Sequence, residues 1–404
     1  MLSMSKTPVA ETLQSFKNRG MAVGFIVPTA TGLDKSIMDA HDSLRRFMLV
    51  QGIHNYAEQQ QGTGNKQSIP TLLFSSGEVV KTETSLYRPE SKTGDPRIWI
   101  YQLKKYAEPG DLLALAAHDN GLAVINCSSS DLNLLLSSAS VAMTSLFPQK
   151  AERLSGVADE LLGKLAQISS LGFVDSQRRG DTGVGFTLES LLGLQANSSK
   201  APDYQGIELK AGRASRQSNK QTTVFSQVPN WALSNLKGSK GILDKHGRYK
   251  AEKSRNQLFH EISCVKPNSY GLQLELSDDW EKLYQIYLPE GDVTKKARDV
   301  VWLMDKLIDR VEEKHQETMW VSAETRGRGV SEEFWYKNVK HTTGVDPTAL
   351  PILLEAGSMT VHYLIKETST GAAKDQGYLF KMAPKYLPVL FANTTNYDLS
   401  TMGL

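Results

Sequence analysis

A chain of 404 residues with 46 lysines and arginines against 44 acids, 40% hydrophobic and 22% charged, has the composition of an ordinary globular protein of roughly two or three domains. No apolar run approaches the roughly 20 residues that span a bilayer, and residues 1–12 lack an apolar signal region, so membrane insertion and secretion are not expected and a cytoplasmic location is. Cys127 and Cys264 stand far apart in apolar contexts without metal-ligand spacing, and read as reduced core residues rather than a disulfide or a thiolate site.

In chain order, residues 24–28 read as a strand, 34–48 as a helix, 71–74 as a strand and 98–101 as another extended segment. Residues 112–117 and 121–126 read as a strand pair around the turn His118-Asp119-Asn120. Before that pair, residues 85–99 are dense in Pro, Gly, Ser and Thr, which marks a loop. Its Arg88, Lys92 and Arg97 offer contacts to phosphate, with Trp99 anchoring the exit; the alternative is a rigid turn tied by an Asp95 to Arg97 interaction. No internal repeat is evident. Residues 1–150 are expected to form an α+β domain with a curved sheet. Residues 151–404 form the second domain, opening with an amphipathic helix over 152–168.

Chemistry concentrates between residues 180 and 210. Residues 180–189 read as a glycine-rich entry to a helix, with Val184, Leu188, Leu191 and Leu192 on one buried stripe and Glu189 beside it. Then follows Pro202-Asp203-Tyr204-Gln205-Gly206-Ile207-Glu208-Leu209-Lys210. On a strand, Glu208 and Lys210 leave one face while Ile207 and Leu209 pack the other way. Asp203 has the wrong parity to join them on an uninterrupted strand, but Gly206 lets the chain turn, which permits a hairpin with one acid on each arm. Phosphodiester hydrolysis wants such a set: two oxygen ligands for Mg²⁺, here Asp203 and Glu208, and a lysine to orient water or stabilise the transition state. The bland reading is an amphipathic edge strand with one salt bridge.

The order G-[DN]-x-G-x-G-x-x-x-E, a short gap, then P-D and G-[IV]-E-L-K resembles the MvaI/BcnI restriction endonuclease family and, more distantly, the mismatch-repair nicking enzyme MutH. Residues 221–231, 357–362, 374–381 and 387–391 look like further strands of that family, so the resemblance covers about residues 151 to 404. It implies an α/β fold with the mixed-sheet core of PD-(D/E)xK nucleases and a separate α+β N-terminal domain. It also implies Asp203 and Glu208 as metal ligands, Lys210 acting on the attacking water, and Glu189 supporting the site. Where the resemblance leads us to expect a histidine the chain has Gln376, and where it leads us to expect an acid it has His362; in the family this region faces DNA.

Between Lys210 and Arg255 there are 11 lysines and arginines against two acids, Asp244 and Glu252. Such a local excess beside acidic groups suits phosphate positioning, with a lysine-rich solvated loop as the alternative. Candidate DNA contacts are Arg213, Arg216 and Lys220 here, Arg326 and Arg328 in a loop that could equally be a plain turn, and His362, Gln376 and Lys381 near the C-terminus. Each of His246, His260, His315 and His341 is more often structural than catalytic, and His260 is expected in the core. The Phe334-Trp335-Tyr336 cluster is expected to be core packing.

The expected activity is that of a Mg²⁺-dependent type II restriction endonuclease acting on double-stranded DNA in defence, with an N-terminal reader of sequence, modification or an effector DNA copy. A cognate methyltransferase or defence-system partner is the class of protein partner implied. One metal site per chain cuts one strand at a time, so a monomer or a transient dimer is expected. Rival readings are a MutH-like repair nicking enzyme and a DNA-binding sensor on a weakly active nuclease fold.

Overall fold

The computed structural model describes residues 9–75, 78–91, 93–119, 121–137, 156–194, 202–214, 221–289 and 292–402. Lys92, Arg216 and Lys220 lie outside them. The chain gathers into two compact units, each assembled from separate stretches. One comprises Met1–Pro148, Gln221–Asp309 and Asp346–Val389, the other Gln149–Lys220, Arg310–Val345 and Leu390–Leu404. The chain beyond residue 150 therefore contributes to both.

In the first unit the N-terminal stretch builds a seven-stranded sheet in the order Val23–Ile26, Leu113–His118, Gly121–Asn126, Gln67–Ser75, Glu78–Tyr87, Arg97–Ile100 and Met38–Asp39. Only Gln67–Ser75 and Gly121–Asn126 pair in parallel. Leu73, Leu86, Ile98, Leu113, Leu115 and Val124 form a core with Leu44, Phe47 and Met48 of the helix Asp42–Val50. The single helix expected over 34–48 is instead two, Ala30–Lys35 and Asp42–Val50, separated by the strand Met38–Asp39. Ser36 takes a left-handed conformation (φ 56°) whose N–H caps the carbonyls of Gly32 and Leu33, and His41 accepts from the Leu44 N–H to start the next helix. The strand Glu78–Tyr87 also runs into the segment expected to be loop, its Thr84, Ser85 and Leu86 buried.

Later stretches of the same unit add a five-stranded sheet in the order Thr222–Ser226, Ala373–Met382, Met359–Glu367, Arg255–Ile262 and Arg248–Lys250, and a three-stranded one of Leu272–Leu276, Lys282–Tyr287 and Ala297–Leu303. The N-terminal stretch is fastened to them by the nearly buried pair Lys17–Asp346 (2.5 Å), by Arg46–Asp309 (2.6 Å) and by Thr348 Oγ1 donating to the Val23 carbonyl. His260 shares the inward face of its strand with Leu258 and Ile262, but it is only half-buried, against the Tyr270 ring, rather than a full core residue. Cys127 is buried and Cys264 partly so; both are free thiols.

The second unit is a mixed sheet in the order Phe391–Asp398, Glu333–Val345, Glu317–Arg326 and Glu208–Arg213, with Val174–Asp175 pairing to Glu333–Val345. Glu208–Arg213 runs parallel to Glu317–Arg326, and the other pairs are antiparallel. One face carries Leu209, Met319, Val321, Val339, Phe334 and Tyr336. It packs with the helix Gly156–Ser170, whose Ala158, Leu161, Leu162 and Leu165 recur at helical spacing, and with the helix Gly183–Leu191 through Val184 and Leu188. By the alternation of strand side chains, Glu208 and Lys210 stand on the opposite face, level with Thr318 and Trp320 of the neighbouring strand. No helix among the described residues is long and apolar enough to cross a membrane.

Candidate active site

The two acids of the motif are brought together by a two-residue hairpin. Tyr204 and Ile207 exchange backbone hydrogen bonds of 2.9 and 2.7 Å, and the residues between them, Gln205 (φ 44°) and Gly206 (φ 94°), both have positive φ. That is the signature of a type I′ turn, whose twist matches the strands it joins. The next pair outward is Asp203 and Glu208, one on each arm, where opposing side chains of a hairpin stand closest. Asp203 Oδ2 also accepts from the Leu209 N–H at 3.0 Å. Tyr204 anchors the turn: its buried ring reaches the helix Gly156–Ser170, where the hydroxyl donates to Glu160 and accepts from Lys164.

Glu208 is fully buried. Its Oε1 lies 2.5 Å from Lys210 Nζ and 2.7 Å from Lys314 Nζ, while Oε2 is buried with no hydrogen-bond partner. Burial pushes the Glu208 carboxyl up, but the two ammonium groups overcome it and hold it below the usual carboxylate range. Asp203 is shifted the other way: burial and then the charge of Glu208 raise its carboxyl, against the opposing Leu209 N–H, Lys210 and Lys314. Glu189, half-buried on the helix Gly183–Leu191, is raised by burial and then by Asp203. At the entry to that helix Gly183 is required by close approach, since a Cβ there would sit 2.3 Å from the Arg178 carbonyl oxygen.

Two acids and two lysines thus meet in one place, with Glu189 near enough to feel their charge, one buried carboxylate oxygen unsatisfied and the Asp203 carboxylate disfavoured by its neighbours. This donor set fits a hard divalent cation. Among the described residues no group of three or more His, Cys, Asp or Glu is arranged to hold a metal by itself. Mg²⁺ does not need one, since it commonly takes one or two carboxylates and completes its octahedron with water and phosphate oxygens.

The other candidates are dispersed. Arg213 is committed within the protein: it forks onto Glu332 (2.7 and 2.9 Å) and donates to the carbonyls of Gly180 and Asp181, bracing the glycine-rich loop. Arg326 pairs with Glu333 and lies over the Phe173 ring, while Arg328 is exposed. Arg88 donates to the carbonyls of Gly94 and Gln59. Arg97 pairs with Asp39 at 2.8 Å rather than with Asp95, which instead accepts from Thr93. His362, Gln376 and Lys381 belong to the five-stranded sheet of the other unit, His362 bonded to Gln221 at 2.6 Å and Gln376 exposed. The remaining histidines have structural partners: His246 with Asp299, His341 with Glu317 and His315 with Thr318. Phe334 and Tyr336 are core residues, and Trp335 donates to the Ser169 carbonyl. Lys314 is the one member of the acidic site that sequence reasoning missed.

The architecture is similar to restriction endonuclease MvaI solved with cognate DNA, with a TM-score of 0.53 and 21% identity over 61% of this chain and all of that one. MvaI solved without DNA is matched over the same share of this chain and 99% of its own, with 20% identity and a TM-score of 0.39. The fold is therefore of the restriction-endonuclease class. The model of the MvaI/BcnI restriction endonuclease family matches residues 162–391, and the chain belongs to that family, which makes it a DNA endonuclease of restriction type. The seven-stranded N-terminal sheet precedes the matched region. No curated protein matches the chain.

Proposed function

We propose that the protein is a Mg²⁺-dependent endonuclease that hydrolyses phosphodiester bonds of duplex DNA in defence against foreign DNA in the cytoplasm. The observation that carries this reading is the hairpin that sets Asp203 and Glu208 opposite one another beside Lys210, with one Glu208 oxygen buried and unsatisfied. Asp203 and Glu208 would hold the ion, which would supply an activated water and neutralise charge on the phosphate. Lys210, partly exposed at the rim of the buried carboxylate, orients the attacking water and stabilises the developing charge. Glu189 adds a third acidic group from the helix, and Arg213 keeps the glycine-rich loop beneath it in place. Duplex DNA as substrate is supported by family membership and by the related MvaI complex with its cognate DNA. The N-terminal stretch serves as a reader that restricts where cleavage occurs.

The test is incubation of the protein and its Lys210→Ala variant with unmodified supercoiled plasmid and phage DNA, with Mg²⁺ or EDTA, resolving nicked from linear products. Discrete Mg²⁺-dependent products that fall about 10²- to 10³-fold in the variant, with DNA binding retained, are expected. Binding without cleavage in any divalent metal overturns the reading.

A further inference from the structure

Glu208 meets two ammonium groups, and only one of them belongs to the motif. Lys314 comes from the last turn of the helix Met304–His315, its side chain only 17% exposed, and reaches the same Oε1 that Lys210 contacts. Its placement is not incidental. Shortly after Lys314 the chain enters the strand Glu317–Arg326, which lies parallel to Glu208–Arg213 with Thr318 level with Glu208. The register that fixes Glu208 therefore also fixes the base of Lys314.

Charge gives this arrangement a purpose. Counted by formal charge, the three acids Glu189, Asp203 and Glu208 against Lys210 and Lys314 leave the site with one negative charge in excess. A divalent cation alone would turn the excess positive, and one phosphodiester returns it to neutrality. An ammonium and a metal ion that seek the same carboxylate oppose one another, and the opposition is strongest where water is excluded, as it is at Glu208.

We propose that Lys314 is a positioning residue of the hydrolytic site, holding the buried Glu208 carboxylate and competing there with the divalent cation, so that the ion is bound firmly only when DNA phosphate is also present. The inference rests on the hydrolytic reading above and concerns which group of the chain sets metal affinity.

The experiment is titration of the DNA-free protein with Mn²⁺, followed by calorimetry, for the wild type, Lys314→Met and Lys314→Arg, with cleavage rates at saturating metal measured in parallel. Lys314→Met is expected to bind Mn²⁺ roughly tenfold or more tightly, the scale on which one neighbouring charge shifts an ionic equilibrium, yet to cleave more slowly. Lys314→Arg should keep the weak Mn²⁺ affinity and most of the rate. Unchanged or weaker Mn²⁺ binding by a folded Lys314→Met protein, or Arg behaving as Met does, overturns the proposal. Lys314→Gln provides the same charge removal should the Met variant fail to fold. A wild type that binds Mn²⁺ but never cleaves DNA would instead overturn the hydrolytic reading.

Discussion

Replacing Gly206 by alanine tests whether the turn, rather than the acids alone, builds the site. Gly206 has φ 94° and Gln205 φ 44°, and a Cβ added at Gly206 meets nothing within 4 Å, so the cost is backbone strain without a clash. Left-handed backbone costs a non-glycine residue about 1–2 kcal/mol. If that strain is relieved by opening the turn, the ratio of closed to open turn, with Asp203 facing Glu208 in the closed form, falls roughly 5- to 30-fold. Single-turnover cleavage at saturating Mg²⁺ should slow by up to that factor, and urea unfolding should show a loss of no more than about 1–2 kcal/mol. Gln205→Asn is the control, because Asn-Gly is the favoured pair for a type I′ turn, and it should cleave at the wild-type rate with equal or greater stability. A Gly206→Ala protein that cuts at full rate, or a Gln205→Asn protein as slow as Gly206→Ala, refutes the reasoning.

Two further outcomes follow from the charges. Asp203→Asn should abolish Mg²⁺-dependent cleavage while stabilising the metal-free protein at neutral pH, modestly and by under about 1 kcal/mol because the residue is exposed enough for solvent to screen it. Since the Asp203 carboxyl is raised in the folded state, its penalty is present above that raised value and disappears as pH falls towards the unfolded value, so the two urea midpoints should converge in acid; a gap that widens there contradicts the assignment. Arg213→Ala should cost about 1–3 kcal/mol and speed amide exchange in residues 180–187, since it removes a forked carboxylate bond and two carbonyl contacts. An Arg213→Ala protein of normal stability whose DNA affinity loses salt dependence would identify a phosphate contact instead.

How much of this was legible in the sequence depended on distance along the chain. The D-x₄-E spacing with a glycine in the third gap position encodes its own hairpin, and alternation then separates Ile207 and Leu209 from Glu208 and Lys210. The helix Gly183–Leu191 and the strand pair around His118 were equally local. Lys314 had no such signal: it looks like any charged residue at a helix end, and only parallel pairing between distant strands brings it to Glu208. The partners of the basic residues were hidden for the same reason. Arg213, Arg326 and Arg97 have carboxylate partners, Glu332, Glu333 and Asp39, that only the fold brings beside them. The helix expected over 34–48 failed because a left-handed serine carries no compositional mark.

The acids and the strand that supports them come from different stretches, Gln149–Lys220 and Arg310–Val345, with Gln221–Asp309 folded into the other unit between them. No short contiguous cassette around the motif therefore holds the whole unit. A truncation that ends the chain before Arg310 keeps Asp203, Glu208 and Lys210 yet leaves their strand without a neighbour, and a fusion that borrows the motif alone inherits the letters of the site without its scaffold. Exchange of parts between such enzymes must move the intervening segment with the chemistry or replace it whole.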